Sequence, residues 1–539
     1  MNIYTIGVLT SISFYILIGS YAGRKVKNLD DYYVYGRNAP TLLIVGTMFA
    51  SMLSTNGFMG DTAYSYSGNI TTIMLLNALC AVGYVIGPLF FGRYIRRAKV
   101  NTMPSYFWRR FNSVRIRRLA GLTTVVSLFA YLISVILGTG LLMETLLGFS
   151  RVECLIIAWL CFTLFTFYSG SYGVVLTDTL MCIFFLVVTL IAGPYIFNAA
   201  GGISNLLENL VTNPDTPSGL LDYHGNVGSD SRFDTVAYGF TMGIIWMITV
   251  AVSPWQAGRN LMAKNEHVII RSGVITALLT VIFLLYLHLM AISVIPLNPG
   301  MEQPERVLIW AALEVMPKLV GVVMLAGIMT AGLSSASTFL SVVSFSISSD
   351  IMNLRFANET AQLKFTRMVV VLVGFLALVI ALMNPGSIRI IAWFASTIIA
   401  ASWGYVAFAS VWSKTLTERG AYYAMLGGFF GYLGSKLLVE VFEVPLYNFL
   451  EPFFIGLAIS ATLGILGSRG QVRTKEEVTF LEKLHEIPVE ETRVVDYQRD
   501  QAYGWGLVFA GIGVSVFLIR YWAVPYNAIR ALELLSFIN

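Results

Sequence analysis

Ala50-Ser51-Met52-Leu53-Ser54-Thr55-Asn56-Gly57, followed by Gly60-Asp61, lies in the middle of an apolar run at 40–66 that is long enough to cross a bilayer. A continuous lipid-facing helix would carry leucine and isoleucine there. Small, hydroxylated and glycine residues at that depth point to a helix that breaks in the membrane and turns freed carbonyls and hydroxyls toward an ion or a solute. The competing reading is a tight helix–helix contact made by small residues. A second interruption adds weight to the first reading. Val252-Ser253-Pro254-Trp255-Gln256-Ala257-Gly258-Arg259 places a proline and a glycine inside the run 236–260, five spans later. Paired breaks at corresponding places in two halves of a chain are the mark of an inverted-repeat carrier.

The rest of the sequence supports a membrane protein. Of 539 residues, 56% are hydrophobic and 12% charged, half the charge of a soluble domain, and the net charge is +5. That excludes an ordinary soluble enzyme, a disordered chain and a nucleic-acid binder. Apolar runs fall at 3–22, 40–66, 71–95, 118–147, 151–168, 171–199, 236–260, 270–296, 318–348, 366–384, 390–412, 421–440, 447–467 and 503–523, an expectation of fourteen spans, with a short amphipathic piece at 304–316. The first run lacks a basic start and a small-residue cleavage site, so it reads as a retained helix. With the N-terminus outside, 27 of the 35 Lys and Arg fall in inner loops. Both termini are then outside, the acidic loop 200–235 (Glu208, Asp215, Asp222, Asp230, Asp234) is outside, and the charged linker 469–502 is cytoplasmic, reading as a solvated helix plus loop. The setting is a plasma membrane, bacterial by expectation. Cys80, Cys154, Cys161 and Cys182 lie in apolar runs without metal spacing and read as small buried hydrophobes.

Two further spans carry polar atoms. Ala331-Gly332-Leu333-Ser334-Ser335-Ala336-Ser337-Thr338 puts Ser334, Ser337 and Thr338 on one helical face, with Ser335 about 100° round. Hard monovalent cations take such oxygens. Asp178, in Leu176-Thr177-Asp178-Thr179, costs about 2.5–3.5 kcal/mol at mid-helix on insertion scales. No Lys or Arg shares its span, so a cation bound jointly with the hydroxyls is its expected partner.

In order along the chain, Asp30-Asp31-Tyr32-Tyr33 to Gly36-Arg37, Thr102-Met103-Pro104-Ser105-Tyr106-Phe107-Trp108-Arg109-Arg110-Phe111, Thr177-Asp178, Gly258-Arg259-Asn260-Leu261-Met262-Ala263-Lys264 and the Ala331 to Asp350 stretch resemble the sodium/solute symporter family. Gly258 stands where that family often has glutamine, and the pattern after Gly201-Gly202 is incomplete. The resemblance implies an all-α polytopic fold of the LeuT type, a 5+5 inverted repeat with one extra N-terminal and three extra C-terminal helices. The divisions are 1–39, 40–235 for the first repeat, 236–415 for the second, and 416–539 for the remainder. It implies a main sodium site at Ala50, Leu53, Ala331, Ser334 and Ser335. Members with a second sodium place it where Asp178, Ser334, Ser337 and Thr338 stand here.

The expected function is sodium-coupled import of a small polar organic solute by alternating access, with one or two Na+ as coupling ions. Solute-binding candidates are Ser54, Thr55, Asn56, Gly57, Asn77, Trp255 and Gln256, with Phe58, Tyr64 and Phe240 as gate candidates. No basic residue follows the inner end of the 118–147 span, which leans the solute toward a neutral, zwitterionic or cationic one. The expected partners are that solute and the lipid bilayer, with no nucleic acid and no obligate protein. A proton-coupled or uncoupled carrier of the same fold and a non-transporting sensor are the alternatives. An enzyme is not expected, because His288 is the one clear in-span histidine and no nucleophile–base or metal constellation is evident.

Overall fold

The computed structural model describes residues 3–220, 232–352, 354, 358–383, 386, 388–446 and 450–536. Asp222 and Asp230 of the acidic loop lie outside these. Among the described residues the chain is helical, with one isolated bridge between Ala39 and Ala263. The helices used below are α1 (Ile3–Gly23), α2 (Thr41–Thr55), α3 (Ile70–Gly87), α4 (Val114–Leu147), α5 (Arg151–Ala199), α6 (Arg232–Val252), α7 (Ala257–Met262), α8 (Glu266–Ile292), α9 (Lys318–Phe345), α10 (Glu359–Leu382), α11 (Ile388–Trp412), α12 (Glu418–Glu440), α13 (Pro452–Ser468), α14 (Lys475–His485) and α15 (Val494–Leu518). The amphipathic piece expected at 304–316 is the short helix Val307–Glu314 and the turn before it.

Ten segments among the described residues are long and apolar enough to cross a bilayer. Pro452–Ser468 is apolar but shorter. The 151–199 stretch divides at Gly170, where φ is 50° and ψ −161°, so the two adjoining runs of the sequence meet at a kink. Only glycine takes this backbone without strain, and an added Cβ would strike the Tyr32 ring at 2.3 Å. No residue of α15 is buried within the protein. Apart from its first turns, which meet α8, its apolar length is left to lipid to cover.

Two groups of helices form the body. In one, α3 packs on α6 and α8, and α2 on α8. In the other, α9 packs on α4 and α5, and α10 on α5. α2 also lies along α5 and α9, so it lines the seam between the groups. α11 rests on α4 and α6, and the α12–α13 pair rests on α11.

The seam is tight because of glycine. A Cβ on Gly46 of α2 would sit 2.6 Å from the Thr179 Cα of α5. Backbone cannot yield as a flexible side-chain tip can, so a residue with a Cβ there forces the helices apart. Gly46→Val is expected to destabilise the protein by about 1–3 kcal/mol. A fluorescence-monitored thermal melt in detergent checks this, and an unchanged midpoint contradicts the packing account.

Candidate functional site

Both expected breaks are present. In the first, Ser54 adopts φ 45° and ψ −179°, outside any helix. A serine held at positive φ is strained, and such strain persists only where the surroundings fix it. The Asn56 N–H donates to Ser54 Oγ at 3.0 Å, which pins the turn. Beyond it the chain runs as a wider π-type helix over Asn56–Asp61, a local unwinding common at functional sites. In the second break, α6 ends at Val252, Ser253 to Gln256 form a turn, and α7 starts at Ala257. The two breaks touch: Gln256 Nε2 donates to the Met48 carbonyl at 3.2 Å and reaches Ser51 Oγ at 3.5 Å.

The Ser/Thr cluster of α9 faces the first break across the seam. Ser335 Oγ lies 3.4 Å from the Ala50 carbonyl and 3.4 Å from that of Ser51, all fully buried. Ala331 and Ser334 are buried on the same helix, while the Leu53 carbonyl accepts the Asn56 N–H at the break. Oxygens 285 residues apart in sequence are therefore neighbours. These donors, neutral carbonyl and hydroxyl oxygens, suit a hard monovalent cation.

Ser334 turns the other way. Its hydroxyl donates to Asp178 Oδ1 at 2.7 Å, and Thr47 of α2 donates to Oδ2 at 2.6 Å. The expectation that Asp178 lacks a protein counter-charge needs correction. The Arg259 guanidinium of α7 lies 3.5 Å from Asp178 Oδ2 and donates to Thr338 Oγ1 at 2.6 Å. It comes from another helix, 81 positions along the chain, which a search of Asp178's own span does not reach. Ser337 does not join them, because its hydroxyl bonds back to the Ser334 carbonyl at 2.8 Å.

Around the two breaks, buried polar atoms stand without a protein partner: Thr55 Oγ1, Asn56 Oδ1, Asn77 Nδ2, Ser253 Oγ and Gln256 Oε1. Buried polar atoms are nearly always satisfied, and an unmade bond costs about 1–3 kcal/mol. Five on adjoining elements mark a place for a polar ligand or ordered water. Thr55 fits closely because Gly138 and Gly332 flank it; a Cβ on either would come within 2.8 Å of it. Trp255, within the second break, is buried edge-on against Tyr131 and Phe339, at 5.9 and 5.8 Å, so that break packs against an aromatic wall. Tyr131 and Phe339 carry no motif that a single sequence exposes.

A small cavity and a charge pair flank this core. On the side of residues 33–34 and 101–104, a cavity of about 40 Å³ is lined by Tyr33, Thr102, Trp255, Arg259 and Thr338 among others. Burial raises the Tyr33 phenol above its ordinary range, so it stays a hydroxyl there. On the opposite side Asp61 meets Arg389 of α11 at 3.9 Å, and Arg389 stacks on the Tyr64 ring at 3.7 Å. Of the gate candidates, only Tyr64 belongs to such a closure. Phe58 packs between Phe185 and Phe283, and Phe240 is largely exposed.

The sodium:solute symporter family matches residues 32–428. The sodium/pantothenate symporter of Haemophilus influenzae is 24% identical over 84% of this chain and 93% of its own length. The sodium/proline symporter of Salmonella typhimurium is 24% identical over 84% and 91%. A solved Na+-coupled sialic acid symporter superposes with a TM-score of 0.75 at 17% identity, over 88% of this chain and 99% of its own. That likeness extends over nearly the whole fold.

Ser335→Ala removes a hydroxyl from the seam and leaves the fold intact. It is expected to raise the sodium concentration for half-maximal uptake about tenfold, equivalent to about 1.4 kcal/mol. Ser337→Ala, whose hydroxyl is already spent on its own helix, is expected to change it less than about twofold. Sodium titrations of uptake into proteoliposomes compare the two, and equal effects contradict the assignment.

Proposed function

The chain belongs to the sodium:solute symporter family and is a sodium-coupled symporter, and from that premise we propose that sodium binds at Ala50, Leu53, Ala331 and Ser335, with Ser334 joining when its hydroxyl leaves Asp178, and drives import of a small polar solute by alternating access. The observation that carries the site is the approach of Ser335 to the Ala50 carbonyl across the seam. A cation there holds α2 against α9 and so favours one arrangement of the two helix groups. The solute binds beside it among Ser54, Thr55, Asn56, Gly57, Asn77, Trp255 and Gln256, whose unpartnered atoms it satisfies. Each sodium that crosses contributes about 2.3 kcal/mol per 100 mV of membrane potential.

Asp178, Ser334 and Thr338 form the second cation position, and in this conformation a guanidinium serves it. A second sodium enters once Arg259 withdraws with α7. The orientation follows the Lys and Arg bias: fourteen crossings, both termini outside, linker 469–502 in the cytoplasm of a bacterial cell. The repeat boundaries at 40–235 and 236–415 follow the two breaks.

The named solutes of the relatives, pantothenate, proline and sialic acid, each bear a carboxylate. Arg389 stands beside the outer arm of the first broken helix, where a carboxylate can compete with Asp61 for it. This favours an anionic or zwitterionic solute, and it revises the sequence lean, which weighed only the inner end of α4. Proteoliposomes loaded with sodium-free buffer and offered radiolabelled pantothenate, proline and sialic acid test the reading. At least one is expected to accumulate only under an inward sodium gradient, and Arg389→Gln is expected to raise its KM about tenfold or more, the scale of a lost charged pair. Accumulation driven equally by a proton gradient without sodium contradicts it.

A further inference from the structure

The linker 469–502 is docked, not merely solvated. α14 begins with a capping box, Thr474 Oγ1 to the Glu477 N–H and Glu477 back to the Thr474 N–H. It buries Leu481 and Leu484 against the protein. From there the linker grips one helix group and, beside it, the α11–α12 pair. On one side, Arg97 beyond α3 donates to the Leu484 carbonyl at 2.6 Å and pairs with Glu266 at the start of α8. The Glu266 N–H donates to Glu491 Oε2 at 2.9 Å. Arg271 of α8 reaches Asp496 Oδ1 and Asp500 Oδ1, both at 2.7 Å. On the other side, His485 Nε2 meets the Val411 carbonyl of α11 at 2.9 Å, and the Glu418 N–H of α12 donates to Glu477 Oε1 at 3.1 Å.

His267 is the centre of the first grip. Its Nδ1 lies 2.6 Å from Asp500 Oδ2 and its Nε2 lies 2.9 Å from the Glu491 carbonyl. Both partners only accept. A neutral imidazole has one N–H, so it leaves one of these contacts lone pair against lone pair; only the imidazolium donates to both. The charged groups that face it are Asp500 and Asp496 of α15, which Arg271 of α8 shares, the Glu491 carboxylate of the linker, which accepts the Glu266 N–H, and Glu266 itself, already paired with Arg97. The Tyr497 ring stands edge-on to the imidazole at 4.8 Å.

We propose that the 469–502 linker is a proton-operated clasp: with His267 doubly protonated it ties α3 and α8 to α11 and α12 on the face where the small cavity opens, and loss of that proton frees it. The tie restrains the motion of α3 and α8 relative to α11 and α12 on that face. α7 runs into α8 through Ala263, whose carbonyl Arg96 holds at 2.6 Å, so releasing the clasp loosens the inner arm that carries Arg259. The clasp acts whatever solute is carried.

Hydrogen–deuterium exchange on the full-length protein in lipid nanodiscs at pH 6 and pH 8, corrected for intrinsic exchange chemistry, tests it without a substrate. Corrected exchange over 475–502 is expected to rise about tenfold at pH 8, with a smaller rise over Ala257–Met262, as a local opening freed of one strong contact. His267→Gln and Asp500→Asn are each expected to show the faster exchange at both pH values. Their helices α4 and α9 should keep wild-type protection, which separates release of the clasp from misfolding. Equal corrected exchange at the two pH values in the wild type, or a wild-type pH response retained by both variants, overturns the proposal.

Discussion

The structure depends on a helix that is not allowed to be continuous. In a bilayer every backbone carbonyl must find a donor, and an unbroken helix supplies one for each from within. Ser54 forfeits that arrangement by turning to positive φ at the heart of α2. The freed oxygens then need something positive nearby, and α9 brings Ser335 to 3.4 Å from the Ala50 carbonyl. The fold is organised to keep this junction buried. Gly46 lets α2 press against α5, Gly138 and Gly332 make room for Thr55, and Gln256 ties the second break to the first. Because α2 touches both helix groups, whatever binds at the junction bears on how they sit together. That is the physical basis of coupling: an ion has leverage on a conformational equilibrium only where the two states present it with different partners.

Charge is handled by the same logic. Asp178, Arg259 and Thr338 place a carboxylate, a guanidinium and a hydroxyl in a fully buried cluster that joins α5, α7 and α9. Such a pair is weak evidence for stability, since desolvation offsets much of the attraction. Its value lies in position. The guanidinium sits on α7, just past the second break, and the carboxylate on α5, so the pair can hold only while those elements are packed. Asp61 and Arg389 form a second, less buried pair on the far side. A charge pair thus stands against each arm of the first broken helix.

Much of this was legible in the sequence because bilayer constraints are written into composition. Long apolar runs, small polar residues where leucine belongs, and a proline inside a span led to the all-helical architecture, both breaks and the α9 cluster. Helical periodicity was less sufficient. It put Ser334, Ser337 and Thr338 on one face, yet Ser337 bonds to its own helix, because a buried serine can satisfy itself on the carbonyl three residues back. Partners from distant helices were not legible. Arg259 and Arg389 were visible as residues, but a one-dimensional reading pairs charges within a span and not across the bundle. The linker looked solvated because its charges outnumber its apolar residues. Its docking comes from the match of Asp496, Asp500 and Glu491 to His267, Arg271 and the start of α8, a complementarity that exists only once the helix ends are assembled.

The central claim is that an alkali cation sits at the junction of α2 and α9. Thallium(I) mimics a bound monovalent cation and scatters anomalously, so diffraction from crystals grown with thallium in place of sodium locates it directly. The account predicts an anomalous peak between the Ala50 and Leu53 carbonyls and the Ser335 hydroxyl, lost when sodium is added back in excess. No peak there, or a peak confined to Asp178, would contradict it.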